Sequence, residues 1–135
     1  MNTAAARALD SYRKTDVESR TPVERVVLLF DHAIRFATVA RTATEQREIP
    51  ARRDAVSRTL AIVSELQNTL DMEQGGEVAR SLDSLYSFIN RALLDASFRH
   101  DPKPIDAAIR VLSTLREAWS SIAATAPAFD PRVAG

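Results

Sequence analysis

The sequence predicts an all-α protein: an antiparallel up-down four-helix bundle with a short N-terminal helical segment. Three observations support this. Apolar residues recur at spacings of three and four along four long stretches. Short breaks carrying proline, glycine or charged residues separate them. No stretch shows the alternation of a half-buried strand. The 135 residues suffice for one domain with its own core.

Residues 3–14 are helix-prone but short, and isolated helices of about that length are marginal in water. Their bulky apolar pair is Leu9 and Tyr12. Residues 1–20 are therefore read as an N-terminal segment and possible lid, 21–124 as the bundle, and 125–135 as a flexible tail. The first helix is expected near 22–43. Thr21-Pro22-Val23-Glu24 is a capping box with proline at the first helical position. Val23, Val27, Phe30, Ile34 and Ala37 form one stripe; Val26, Leu29, Ala33, Phe36 and Ala40 form another. A bundle helix needs only about three apolar residues in seven. The surplus fits either a central helix wrapped by its own bundle or a helix covered by the core on one side and a second partner on the other.

Ile49-Pro50 is expected to break the chain, and a second helix follows near 51–70 through Val56, Leu60, Val63, Leu66 and Leu70. Arg52, Arg53, Arg58 and Glu65 are assigned to its outside. Gly75-Gly76 punctuates the centre, because glycine tolerates left-handed backbone angles. The third helix, near 76–99, carries Val78, Leu82, Leu85, Ile89, Ala92 and Ala96, with a second row at Ala79, Tyr86 and Leu93. Asp101-Pro102-Lys103-Pro104 reads as a rigid non-helical joint. The fourth helix, near 105–124, shows Ile105, Ile109, Leu112, Leu115, Trp119 and Ile122.

Composition excludes more chemistry than it supports. Acidic and basic residues balance at 18 each, which gives no electrostatic footprint for nucleic acid. No run of about 18 apolar residues exists to insert in a membrane, and residues 1–14 lack the apolar core of a secretory signal. Cysteine is absent, which removes disulfides and thiolate metal sites and fits the cytosol. His32 and His100 belong to no Glu-x-x-His or His-x-x-x-His pair, so neither a di-iron nor a zinc site is expected. No phosphate-cradling loop or activated serine has a motif context. Glu73 and Glu77 suit capping and dipole roles at the third helix better than catalysis. Neither an enzyme activity nor a cofactor is expected.

The run Leu70-Asp71-Met72-Glu73-Gln74-Gly75-Gly76-Glu77-Val78-Ala79, followed by Leu82 and Leu85-Tyr86, closely resembles the signature of the FliS family of flagellar export chaperones. Further pieces fall in the same order: Tyr12-Arg13-Lys14, Thr21-Pro22, Leu29-Phe30-Asp31-His32-Ala33-Ile34, Arg91-Ala92-Leu93-Leu94-Asp95-Ala96 and Trp119. The resemblance covers roughly residues 7–122. Departures are His32 for the usual glycine, Ser81 for asparagine, and Ser97-Phe98-Arg99-His100-Asp101 for an Asn-Leu-x-Asn-Asp sequence.

This resemblance implies a cytosolic chaperone that binds the disordered C-terminal segment of flagellin. It would prevent premature polymerisation and deliver the client to the flagellar type III export gate. It also implies docking on the export-gate protein FlhA through the N-terminal tyrosine region, Leu9 and Tyr12 here, and an interaction with the anti-sigma factor FlgM. The alternative is another helical-bundle adaptor or export chaperone with a different client. Combined with the surplus apolar surface on the first and third helices, the resemblance makes Val26, Leu29, Phe30, Ala33, Tyr86, Ile89 and Leu93 candidates for a client groove. Tyr86 suits either core or groove.

Overall fold

A computed structural model describes Ala4 and residues 21–125 of the chain. The N-terminal segment with Leu9 and Tyr12, and the tail beyond Thr125, lie outside the described residues. Within them the chain forms four helices: α1 (Pro22–Glu45), α2 (Ile49–Asn68), α3 (Gly76–Arg99) and α4 (Lys103–Thr125). Each packs on its neighbours in the order α1–α2–α3–α4 and back to α1, the up-down antiparallel bundle that short connections favour.

Local chemistry sets each helix end. Thr21 caps α1: its Oγ1 accepts from the Glu24 backbone N–H at 3.2 Å and donates to Glu24 Oε1 at 3.0 Å. The α1–α2 turn passes through Arg47 at φ 59°, and the Glu48 N–H returns to the Ala43 carbonyl at 2.8 Å. Asp71 Oδ1 accepts from the Glu73 and Gln74 N–H groups at 3.1 and 3.0 Å, building the turn before α3. Gly76 then enters α3 at φ 52°. Its left-handed angle belongs to the start of α3; α2 has ended earlier, at Asn68.

Both expected proline breaks move. Pro50 lies inside the first turn of α2, and Pro104 lies inside the first turn of α4, so Lys103-Pro104 is helical and not part of a joint. First-turn N–H groups have no intrahelical partner, so proline loses nothing there. α1 also runs two residues past its expected end.

The core face of α1 runs between the two expected stripes and takes members of both: Val23, Val26, Phe30, Ala33, Ala37 and Ala40 are buried. Val27 and Ile34 flank it on the α4 side, where the ion pairs Asp31–Arg116 (2.8 Å) and Arg41–Asp106 cross. Leu29 and Phe36 flank it on the α2 side, where the Arg58 guanidinium lies 5.5 Å from the centre of the Phe36 ring. Across the core, α1 meets α3 diagonally, and the Phe30 and Tyr86 rings lie 6.4 Å apart. Ile105, Ala108, Leu112 and Trp119 complete the core from α4; Ala55, Val56, Val63 and Leu66 do so from α2.

Arg52 departs from its expected outward place: it is buried and donates from Nη1 to His100 Nδ1 at 2.8 Å. It stands in phase with Ala55, Val56, Thr59 and Val63. Its aliphatic stem therefore closes one end of the core.

α1 approaches α2 and α4 more closely along its length than α3 approaches either of its neighbours. Ala33, Ala37 and Ala40 on α1 are fully buried, whereas α3 turns Leu82, Tyr86, Ile89 and Leu93 inward. Small side chains permit a short interaxial distance, and large ones hold helices apart. Ala37→Leu is therefore expected to cost about 1–3 kcal/mol through overpacking. Urea denaturation would read this as a lower midpoint with native helical content retained.

Candidate functional site: the α3–α4 trough

The seven sequence-derived groove candidates do not form a surface. Val26, Phe30, Ala33, Tyr86, Ile89 and Leu93 are all buried in the core, and Leu29 is half-buried on the α2 flank of α1. The physical reason is topological. α1 and α3 are diagonal in the bundle, so their most apolar stripes meet each other inside it. His32, which replaces the family glycine, is half-buried and pairs its Nδ1 with Arg35 Nη2 at 2.9 Å. It lies away from the close alanine seam.

The apolar surface left outside is concentrated on α3. Val78, Leu85 and Phe88 are exposed along the flank toward α4; Leu94 is 54% exposed and Phe98 87%. Two depressions run between α3 and α4. The larger, about 370 Å³, is lined by Phe88, Arg91, Ala92 and Asp95 of α3 and by Pro104 and Ala107 of α4. The other, about 240 Å³, is lined by Leu85 of α3 and by Arg110, Val111, Thr114 and Leu115 of α4. They adjoin along α4 and make one trough parallel to the helices. A third depression of about 250 Å³, between α1 and α2, is lined mainly by threonine, alanine and Glu48, with Val39 its largest apolar side chain.

Polar ties cross two of the other three seams, and the α1–α2 seam has the Arg58–Phe36 contact instead. Two ion pairs bridge α1 and α4. Between α2 and α3, Gln67 Nε2 donates to Asp83 Oδ1 at 3.2 Å and to Ser87 Oγ at 3.4 Å, and Asn90 Nδ2 donates to Gln67 Oε1 at 3.3 Å. Among the described residues no hydrogen bond or ion pair between side chains joins α3 to α4. Asp95 is occupied by Arg99 at 3.2 Å on its own helix. Arg91 and Arg110 are exposed, with no ion pair or hydrogen bond among the described residues. The trough is thus an apolar floor with an unpaired arginine on each bank.

Among the described residues no three His, Asp or Glu side chains cluster to hold a metal ion. No described helix is long and apolar enough to cross a membrane. What such a surface can do is hold an apolar segment of another chain.

Comparison with known proteins identifies the lineage. Residues 5–126 match the family described as "Flagellar protein FliS". The chain belongs to the FliS family. It is 34% identical over 122 residues to the flagellar secretion chaperone FliS of Salmonella typhimurium, covering 87% of this chain and 90% of that one. Over 119 residues it is 30% identical to the Vibrio cholerae flagellar secretion chaperone FliS, covering 85% and 88%. With its Campylobacter jejuni counterpart it shares 34% over 115 residues, covering 85% and 90%. These FliS relatives are named as chaperones, and the signature around Gly75-Gly76 is the part of this chain that announces the family. Sequence periodicity missed the trough because Leu85 and Phe88 repeat at helical spacing like core residues. The signal that could have found it was the number of large apolar residues on α3, more than one face of a helix can bury.

Tyr86 gives the core a pH signature. Burial raises the phenol above its ordinary value. The folded chain therefore keeps this proton after the unfolded chain has begun to lose it. The contribution is complete below about pH 10 and is lost as pH rises from there toward the folded value. Tyr86→Phe is expected to flatten the fall in thermal stability between about pH 9 and 11. Melts at both pH values would check it, and a fall as steep as that of the parent would assign the alkaline sensitivity elsewhere.

Proposed function

We propose that this protein is a non-enzymatic cytosolic chaperone of flagellar export that holds the disordered C-terminal segment of flagellin on the α3–α4 face of its bundle. The supporting observation is the trough: an exposed apolar floor on a helix whose inward face is already satisfied by the core. Monomeric proteins rarely leave such patches uncovered without an interaction to serve. Membership of the FliS family supplies the flagellar context. Held there, the client would be kept from polymerising until it reaches the export gate. In this reading Leu9 and Tyr12 serve as lid or as contact with the gate protein FlhA, and FlgM is a further partner. The six buried groove candidates support the client surface from beneath.

Calorimetry with the C-terminal segment of the cognate flagellin tests the reading. Coupled folding of such a segment buries on the order of 1,000–3,000 Å² and gives a large negative heat-capacity change. Phe88→Asp is expected to weaken binding at least about tenfold with an unchanged melting temperature, since Phe88 lies outside the core. Phe30→Ala instead removes a core ring and is expected to cost about 3–5 kcal/mol of stability. Absence of binding at tens of micromolar would reject flagellin as the client.

A further inference from the structure

We propose that the α3–α4 trough selects an amphipathic helix of about three turns whose apolar stripe is flanked on both sides by carboxylates, received by Arg91 and Arg110. The proposal rests on the client-holding reading above and adds the chemistry of what is held.

Length comes from the lining. Pro104 and Leu115 mark its two ends on α4, and at 1.5 Å per residue they are about 17 Å apart, three helical turns. Helical conformation follows from the walls. Phe88, Ala92, Pro104, Ala107, Val111 and Leu115 offer no backbone partner to an extended segment, whereas a helix satisfies its own N–H and C=O groups. Ala107 in one depression and Val111 in the other stand one turn apart, so residues at i and i+4 of a docked helix reach both.

Charge sets the selectivity. Arg91 lies eight residues before the end of α3 and Arg110 seven residues after the start of α4. In antiparallel neighbours this puts both about 10–12 Å from the α3–α4 turn, level with each other on opposite banks. Nearby carboxylates are already engaged: Asp95 with Arg99, and Asp106 with Arg41 on the far side of α4. The chain as a whole is neutral, so it is the two unpaired guanidinium groups at the trough, and not the overall charge, that act on a docked segment. Arginine on a flexible stem presents a planar fork matched to carboxylate. In paired helices, charges flanking the apolar seam choose the partner.

Two labelled 14-residue amphipathic peptides test this, identical in a leucine stripe and differing in glutamate or lysine at the flanking positions. Fluorescence anisotropy against the full-length protein is expected to show the glutamate peptide bound about five- to tenfold more tightly at low salt, the difference shrinking as salt rises. The double variant Arg91→Glu/Arg110→Glu is expected to reverse the order, and Phe88→Asp to weaken both peptides. A preference below about twofold, or one that survives the double charge reversal, overturns the proposal. So does a dimer in sedimentation that Phe88→Asp abolishes, which would assign the trough to a second copy. Binding of the glutamate peptide only after deletion of residues 1–20 would assign it to the chain's own N-terminal residues, and also overturns the proposal. If the flagellin segment binds while neither peptide does, this inference fails and the client reading stands; if nothing binds, both fail.

Discussion

The close approach of α1 to both of its neighbours is the constraint on which the remaining architecture depends. Ala33, Ala37 and Ala40 are fully buried on its core face, so small side chains there let α1 sit close in between α2 and α4. A four-helix ring with one helix drawn in cannot be symmetric. The opposite helix, α3, must fill the space across the core with large side chains, and Tyr86, Ile89 and Leu93 do so, Tyr86 facing Phe30. The same bulk holds α3 away from both of its neighbours, and on the α4 side the unfilled strip becomes the trough.

The polar ties follow the same division of labour. Ion pairs lie across the α1–α4 seam, and an amide–carboxylate–hydroxyl network spans α2 and α3. Exposed pairs of this kind contribute little to stability, but they fix which helices are neighbours and in what register. With three of the four seams fixed by close packing or ties, the remaining one can stay apolar and open. In the proposed reading, holding another chain needs such a surface. It also needs the fold beneath to be complete without the client, and the fully buried floor of Phe30, Tyr86, Ile89 and Leu93 provides that.

Arg52 shows how a charged residue serves the same end. Its guanidinium reaches His100 at 2.8 Å, tying the start of α2 to the left-handed cap of α3 at φ 54°. Histidine tolerates that backbone region better than most side chains, so the residue that ends α3 also gives the arginine a partner. The stem of Arg52 meanwhile seals the end of the core that Ile105 enters from α4.

The sequence alone determined the all-α class, the four helices and, to within two residues, their boundaries, because periodicity, capping residues and glycine act within a few residues of chain. It also carried the family, through the run around Gly75-Gly76. It misplaced the starts of α2 and α4 because proline forbids a helix interior but not a first turn. The exposed apolar trough was a tertiary decision. Tyr86 and Leu85 are adjacent and both apolar, yet one is 2% exposed and the other 37%. A helical repeat shows that two stripes exist; only the positions of the neighbouring helices decide which is enclosed. Because α1 and α3 are diagonal, the face that α3 turns inward takes Tyr86 and Leu93 from one row and Leu82, Ile89, Ala92 and Ala96 from the other, which leaves Val78 and Leu85 open at its α4 edge.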